Sequence, residues 1–272
     1  MAHCRKDKEF CGILSGLQQN PPVYAVDAQP ASGKVSAVLK GHKLIVTGKF
    51  KNLSSPLQPV GTVGAAHIHL GAPGTNGPVV FELTPTLRDD GLSGYFNPCY
   101  NRFTLTDEQK AAVKAGDYYV NIHTETYPDG EIRAQLLPKI KYCKQYIAIL
   151  SPANEVPPVT DSEARGTILA TYNCGKLVLS GTFSGLTSPL LVVAGSAGHI
   201  HEGAAGETGP VVFPLTIVAD EDNLGGAVLR ADNKFTLTST QKDTLNAEGF
   251  YINVHTEDYP TGEIRGQLVP LQ

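Results

Sequence analysis

The sequence predicts a mainly β protein made of two tandem Greek-key β-sandwich or β-barrel domains, each with one short helix. Three observations support this class. Glycine and proline, 28 and 19 of 272 residues, exceed their average combined share of about 12%, which indicates many turns. Short runs rich in β-branched and apolar residues stand between turn signals. Most of the sequence also occurs twice, which favours two ordinary domains over one large one.

The repeat has an offset of 132 residues over most of its length. Residues 64–69 (GAAHIH) return as 196–201 (SAGHIH), and residues 121–125 (NIHTE) return as 253–257 (NVHTE). Nearer the start of each copy the offset rises to 133 and then to 136, which small loop insertions in the first copy explain. We therefore predict a first domain over residues 1–138 and a second over residues 139–272.

Strands are predicted from apolar and β-branched runs. Residues 43–50 and their counterpart 176–183 are such runs, and turn residues bracket both. Residues 118–124 form another strand. The turn at 127–130 (YPDG) leads from it into a last strand at 131–136, so these two strands form a β-hairpin.

One short helix is predicted in each copy. Thr106 and Gln109 have the spacing of a capping box, and Gly116 is a typical residue at a helix end. Thr238 and Gln241 repeat the cap in the second copy.

Charge and hydropathy exclude several classes of function. The chain has 22 basic and 26 acidic residues, a net charge of −4, and no long run of like charges. A nucleic-acid partner is therefore not expected. No stretch reaches the roughly 18 apolar residues of a membrane span. The first residues lack an apolar signal-peptide core, so the chain is either cytosolic or the mature form of a secreted protein.

The cysteines are too few for a disulfide scaffold and contain no Cys-x-x-Cys metal pair. Structural disulfides are favoured over free thiols, with the connectivity left open among Cys4, Cys11, Cys99, Cys143 and Cys174. The glycosylation triplet Asn52-Leu53-Ser54 adds weight to a secreted, extracellular origin.

Six of the eight histidines recur at matched positions: His67, His69, His123, His199, His201 and His255. Alternate residues of a strand face opposite sides, so His67 and His69 lie opposite Ile68, and all three histidines of a copy leave the core side of the sheet. A His-x-His pair with a third histidine suits zinc, copper or nickel and leaves one coordination position open. The alternative is six ordinary exposed or hydrogen-bonding histidines.

The hairpin predicts the neighbours of the third histidine. Keeping both strands in phase places His123 opposite Arg133 and Glu125 opposite Glu131, and Arg265 beside His255 by the same argument. In this arrangement the arginine attracts a small anion to the open position, and a glutamate orients an imidazole. The alternative is a solvated face with ordinary ion pairs.

Two further features accompany the histidines. Matched glycines follow each His-x-His pair, at Gly71, Gly74, Gly77, Gly203, Gly206 and Gly209. They lack the Lys-Ser/Thr of a phosphate loop, so they are predicted to pack near the metal or to form tight turns. Tyr119 and Tyr251 lie on the histidine face, either as redox tyrosines or as packing residues.

At these residues the chain resembles the chordin-type domain, CHRD, in tandem. The pattern His-Ile-His-x-Gly-x-x-Gly-x-x-Gly-Pro-Val-Val, followed by Tyr-x-Asn-x-His-Thr-x-x-x-Pro-x-Gly-Glu-Ile-Arg-x-Gln-Leu, carries the resemblance over residues 13–138 and 146–270. The first copy departs from it at residues 18–22 (QQNPP), where the second has NEVPP. The resemblance implies extracellular β-rich modules whose activity is mostly unassigned.

The histidine pattern is also similar to the copper half of Cu,Zn superoxide dismutase, a Greek-key β-barrel, so a superoxide-dismutase-like architecture is expected. Each copy has three candidate ligands, no bridging histidine and no matched zinc cluster, so efficient dismutation is not expected. The zinc site of α-type carbonic anhydrases is similar in histidine spacing alone.

The leading hypothesis is a secreted protein that binds copper through the six matched histidines on the outer sheet face of each domain. Redox or oxygen chemistry at the open position, with a small molecule or anion as partner, would make it a copper-dependent oxidoreductase, with catalytic candidates Arg133, Arg265, Tyr119 and Tyr251. One alternative is a non-catalytic adhesion or protein-binding module with an extracellular protein partner. Another is a zinc enzyme with metal-bound water.

Overall fold

The computed structural model describes residues 7–24, 29–139 and 143–271. The predicted mainly β class is confirmed, since antiparallel strands dominate these residues and each copy contains one α-helix. The chain divides into two compact units, the first ending at Cys143 and the second beginning at Lys144.

The first unit contains the following elements: β1 (Lys8–Ser15), β2 (Ser32–Lys40), β3 (Lys43–Lys51), β4 (Ala66–Leu70), β5 (Val79–Glu82), β6 (Pro85–Leu87), β7 (Gly94–Phe96), β8 (Arg102–Thr104), α1 (Asp107–Ala115), β9 (Tyr118–Ile122), β10 (Ile132–Gln135) and β11 (Leu137–Pro138).

The second unit repeats this order: β12 (Gln145–Leu150), β13 (Arg165–Asn173), β14 (Lys176–Ser184), β15 (Gly198–Glu202), β16 (Val211–Pro214), β17 (Ile217–Ala219), β18 (Gly225–Val228), β19 (Lys234–Thr236), α2 (Ser239–Asn246), β20 (Phe250–Val254), β21 (Ile264–Gln267) and β22 (Val269–Pro270). A short 3₁₀ helix follows the first strand of each copy, at Gly16–Gln18 and Pro152–Asn154.

Each unit has a layer of four strands and a longer layer. In the first unit the order is β5-β4-β9-β10, continued by β1-β2-β3-β7-β6, and a single residue pair, Ser15 with Arg133, joins the two parts. In the second unit β16-β15-β20-β21 is a separate sheet, and an isolated bridge between Ser151 and Arg265 marks the same junction. The four-stranded layer contains the matched His-x-His pair in both units.

Apolar side chains from both layers form the core of each unit. In the first unit Ile68 and Val120 of the four-stranded layer belong to the same buried cluster as Phe10 and Val46 of the longer layer. Since successive side chains of a strand face opposite sides, the residues on either side of Ile68 point away from this core.

Both helices begin at the predicted capping boxes. Thr106 Oγ1 accepts a hydrogen bond from the Gln109 backbone N–H, and the Gln109 side chain accepts one from the Thr106 N–H. Gly116 ends α1 in the left-handed conformation, with φ of 92°. Helix α2 has the same cap at Thr238.

One disulfide is present among the described residues. Cys11, buried in β1, is bonded to Cys143, with the two Cα atoms 5.9 Å apart. Cys99 and Cys174 are free and exposed, and Cys4 lies outside the described residues. The bond closes a long loop, since its two cysteines are 132 residues apart.

Replacing Cys143 by serine should lower the free energy of unfolding of the first unit by about 2–4 kcal/mol, because a cross-link over a long loop restricts the unfolded chain. Urea denaturation followed by tyrosine fluorescence would measure the loss. Cys99→Ser is the control, since it removes an exposed thiol without breaking a bond. An unchanged unfolding midpoint in Cys143→Ser would contradict this expectation.

Candidate metal centre

Three histidines of each copy meet on the four-stranded layer, on the side away from the core. Strand β4 holds His67 opposite Asn121 and His69 opposite Tyr119 of β9, and His123 directly follows β9. The predicted face is therefore correct. The side chains are nevertheless buried rather than exposed, since none of the three is more than 8% exposed. The second copy repeats the arrangement with His199, His201 and His255.

The three rings converge on one point. His67 Nδ1 lies 3.2 Å from His123 Nε2, and His199 Nδ1 lies 2.9 Å from His255 Nε2. In each copy one ligand atom from each ring lies within 4.8 Å of the others. Imidazole nitrogens bind zinc at about 2.0–2.1 Å, so two donors on one ion lie at most about 4.2 Å apart, and the pairs at 3.2 Å and 2.9 Å meet this limit. These three side chains, called the histidine triad below, could hold a metal ion.

Backbone carbonyl groups fix the proton positions on two of the rings. His69 Nδ1 lies 2.9 Å from the Gly77 carbonyl oxygen, and His123 Nδ1 lies 2.8 Å from that of Pro128. A carbonyl can only accept, so each Nδ1 carries the proton and each Nε2 keeps its lone pair. The second copy has the same bonds, from His201 to Gly209 and from His255 to Pro260.

Burial keeps all six rings neutral near pH 7. It is the largest cause of the lowered pKa of every triad histidine, and neighbouring histidines lower the pKa of several of them further. The pKa falls to about 4 for His69 and for His255. Neutral imidazole is the form that binds metals, so no proton has to be lost to the solvent before binding.

The loop that carries the matched glycines, residues 71–77 in the first copy and called the glycine loop below, packs on the triad. Packing near the metal was one of the two interpretations of these glycines. Gly77 accepts the bond from His69 through its carbonyl and donates its N–H to the Tyr119 hydroxyl over 3.1 Å. A Cβ built on Gly77 would overlap the Leu70 carbonyl oxygen. Only glycine therefore fits at the residue that orients His69.

A tyrosine packs against one ring of the triad, and an arginine packs against that tyrosine. The Tyr119 ring stacks on His69 with centroids 4.8 Å apart, and the Arg133 guanidinium lies 3.5 Å from the centroid of the same ring. Arg133 is 1% exposed and donates to the Thr75 and Ala72 carbonyl oxygens of the glycine loop. Arg265 and Tyr251 repeat the arrangement. Each arginine thus gives two of its hydrogen bonds to the loop.

The predicted hairpin register is wrong by two residues. Arg133 lies opposite Asn121, not opposite His123, and Ile132 lies opposite Ile122. Strand β9 ends at Ile122, and the following turn is held by bonds such as Gly130 N–H to the Tyr127 carbonyl. Shifting one strand by two residues relative to the other keeps every side chain on its face, so alternation cannot distinguish the two registers.

The glutamates do not orient the imidazoles as predicted. Glu131 Oε1 accepts the Ser54 N–H, and Glu263 accepts bonds from the Thr187 N–H and the Ser162 hydroxyl. Glu125 is exposed. The carbonyl groups of Gly77 and Pro128 orient the rings instead. Sequence reasoning missed them because every residue has a carbonyl, although the repeated Gly-Pro and Tyr-Pro motifs mark both places.

A buried polar position near the triad differs between the two copies. In the first copy Gln19 Nε2 donates to Asn121 Oδ1 over 2.7 Å, and the offset of 136 places Glu155 at this position in the second. Burial raises the pKa of Glu155 to about 7, although Arg265 opposes the rise. Glu155 Oε1 and Asn253 Oδ1 are both buried without a partner. An ionised Glu155 can only accept, so only its protonated form can replace the glutamine as donor.

Replacing Glu155 by glutamine should stabilise the second unit by on the order of 2 kcal/mol at pH 8 and change it little at pH 5. The folded chain binds the extra proton between the ordinary pKa of 4.5 and the raised value of about 7. The contribution of Glu155 to the free energy of unfolding of the wild type is therefore fully present at low pH and is lost as the pH rises from 4.5 to about 7. Urea unfolding at both pH values measures it. Gln19→Glu in the first copy should show the reverse effect, and equal shifts of the Glu155 variant at both pH values would contradict the assignment.

Each unit is thus an antiparallel β module with a buried group of three neutral histidines. The CHRD domain family model matches residues 10–136 and 146–268, which is most of the chain. The chain therefore belongs to the CHRD domain family, as two tandem copies, and the resemblance is confirmed. No curated protein matches it. CHRD domains are extracellular-type modules, and among the described residues no helix is both long and apolar enough to cross a membrane.

Proposed function

We propose that the chain is a secreted protein that binds one copper ion at the histidine triad of each CHRD domain. The observation that carries the proposal is the Nε2 atom of His69, matched by that of His201. Each is a buried nitrogen with no hydrogen-bond partner. Leaving such an atom unpartnered costs free energy, and a metal ion at the point where the rings converge satisfies it.

The donor atoms in the first copy are His67 Nδ1, His69 Nε2 and His123 Nε2. Two of them, His69 Nε2 and His123 Nε2, already carry a lone pair in place of a proton, because backbone carbonyls hold the proton on the other nitrogen. His67 differs, since without a metal its Nδ1 must donate to His123 Nε2 over 3.2 Å. Metal binding at Nδ1 therefore requires the His67 proton to move to Nε2, which is itself buried without a hydrogen-bond partner, and leaves the other two rings unchanged.

Copper is preferred to zinc on the chemistry of the donors. Three imidazoles suit both ions, but affinity for nitrogen sites rises along the first-row metals to a maximum at copper(II). When bound, copper supplies one-electron and oxygen chemistry at the coordination position that three protein donors leave open for a small molecule or anion. Zinc with a bound water is the alternative that the same donors support.

Arg133 and Arg265 serve in this proposal as positioning residues. Their guanidinium groups hold the glycine loop through its carbonyls and pack against the tyrosine that stacks on the triad. Tyr119 and Tyr251 transmit this contact to His69 and His201. A fixed ring orientation raises metal affinity because less movement is lost on binding.

Secretion is supported by two observations. The family consists of extracellular-type modules, and the Cys11–Cys143 disulfide is of a kind that persists in oxidising compartments and is rare in the cytosol.

The test is the metal content of the full chain, purified without a histidine tag from cells supplied with both copper and zinc. We expect two copper ions per chain by mass spectrometry of the metal and a copper(II) electron paramagnetic resonance spectrum with nitrogen splitting. Two zinc ions per chain would favour the alternative. Trace metal that does not increase on titration with copper would overturn the proposal and favour a non-catalytic binding module.

A further inference from the structure

A groove with a strong positive charge lies on the outer face of the first unit, away from the triad. It has a volume of about 760 Å³, and four cationic side chains contribute to its lining: Lys34, Lys49, Lys51 and Arg88. All four are exposed. Polar Ser32, Ser93 and Asn52 line the groove between them, so it offers both charge and hydrogen bonds to an occupant.

The sheet register places these cations close together. Lys34 of β2 lies directly opposite Lys49 of β3, and Lys51 lies opposite Ser32 two residues further along. Lys49 also lies opposite Tyr95 of β7, whose side chain is 36% exposed. Neighbouring strands are about 4.8 Å apart, so the side chains of Lys34 and Lys49 leave the sheet side by side.

The three lysines of the groove have no ion-pair partner in the part of the chain that the structure describes. The carboxylate of Asp90 accepts bonds from the Leu92 and Ser93 N–H groups and the Ser93 hydroxyl, and its charge attracts Arg88, so it offsets part of the charge of that one cation. Like charges directly opposite each other on two strands destabilise a sheet. An anionic ligand would offset this cost.

The second copy lacks the four cations of the groove, although Arg165 stands at the position matched to Ser32. At the matched positions it has Thr167, Thr182, Ser184 and Asp220 in place of the four cations. The contrast extends to the whole units: residues 1–143 contain 15 basic and 12 acidic side chains, whereas residues 144–272 contain 7 and 14. The basic groove is therefore a property of one copy and not a requirement of the CHRD fold, since the second copy folds without it.

We propose that this groove binds an acidic polysaccharide, one that carries carboxylate or sulfate groups along a chain of sugars. The cations supply the charge, and the side chains of Ser32 and Asn52 suit sugar hydroxyl groups. Tyr95 lies beside the groove, opposite Lys49, and its partly exposed ring offers an apolar face for a sugar ring. A nucleic acid or an anionic membrane would meet the same cations, so the choice of a polysaccharide rests on the polar side chains and the ring beside them. This binding is independent of the metal proposal, because no triad residue lines the groove.

The test compares the wild-type chain with Lys34→Thr/Lys49→Thr/Lys51→Ser, which installs the residues of the second copy. Binding to heparin, polygalacturonate and neutral dextran is measured by surface plasmon resonance over a range of salt concentrations. The protein is made without N-glycosylation, so that Asn52 carries no glycan. We expect the wild type to bind at least one acidic polymer but not dextran. The triple variant should bind at least tenfold more weakly, with a shallower salt dependence.

A matched control removes the same charge elsewhere. Lys40→Thr/Lys43→Thr/Lys114→Ser lowers the net charge by the same amount at exposed positions outside the groove, and it should stay within about twofold of wild type. Equal losses in both variants would show attraction by net charge alone and overturn the proposal. So would no binding to either acidic polymer near physiological salt, or equally strong binding to vesicles of anionic phospholipid.

Discussion

His69→Gln should lower the copper content of the chain from two ions to one, and His69→Gln/His201→Gln should leave none. Each replaced ring supplies the buried, unpartnered Nε2 atom of its triad, and the other two histidines offer too few donors to retain the ion. Loss of an orienting partner alone typically costs 10–100-fold in metal affinity, so loss of a ligand should cost about 100-fold or more. Metal analysis after dialysis against a weak chelator measures the stoichiometry.

The repeat supplies its own control in this experiment. In the single variant the intact triad of the other domain shows that copper was available and that the chain folded. His42→Gln serves as the surface control. His42 is exposed, belongs to neither triad and bonds the Leu105 carbonyl. Two ions retained in the double variant would contradict the assignment of the ligands.

The faces of the strands could be predicted from the sequence because alternation is a local property. Ile68 lies in the core and the two flanking histidines lie on the other side, as the period of two requires. The helix starts at Thr106 and Thr238 were predictable for the same reason, since a capping box involves residues only three apart.

The register of the hairpin could not be predicted in this way. Moving Arg133 from opposite His123 to opposite Asn121 changes no side chain's face, so the hydrophobic pattern is equally satisfied. The turn decides the register, and its length depends on where β9 stops hydrogen bonding. Because of this two-residue error, Arg133 was predicted to lie beside the metal site. In the structure its guanidinium lies against the Tyr119 ring.

The burial of the triad also depends on contacts that are distant in sequence. Arg133 bonds to carbonyl groups about 60 residues earlier, and these bonds hold the glycine loop over the histidine face. The glycines mark the loop in the sequence, but the sequence does not show that this loop covers the histidines. Outward-facing histidines could therefore be predicted, whereas buried neutral ones with fixed protons could not.

Gly209→Ala should weaken metal binding at the second triad by about 10–100-fold and destabilise the second unit by about 2–3 kcal/mol. A Cβ on Gly209 would overlap the Glu202 carbonyl oxygen, which belongs to the backbone and cannot rotate away. The loop must then move, and it carries two bonds to the site: the His201 ring to the Gly209 carbonyl, and the Gly209 N–H to the Tyr251 hydroxyl.

Gly206→Ala separates this effect from general strain in the same loop. Gly206 has φ of 80° and open space around the added Cβ, so alanine there should cost about 1 kcal/mol of backbone strain and leave metal affinity unchanged. Copper titration and urea unfolding of the two variants measure both quantities. Equal losses of affinity would mean that loop stability alone controls the site. A loss of copper affinity confined to Gly209→Ala would mean that the carbonyl orienting His201 is part of the metal centre. The comparison is fair because both substitutions add one methyl group and differ only in the contact that it breaks.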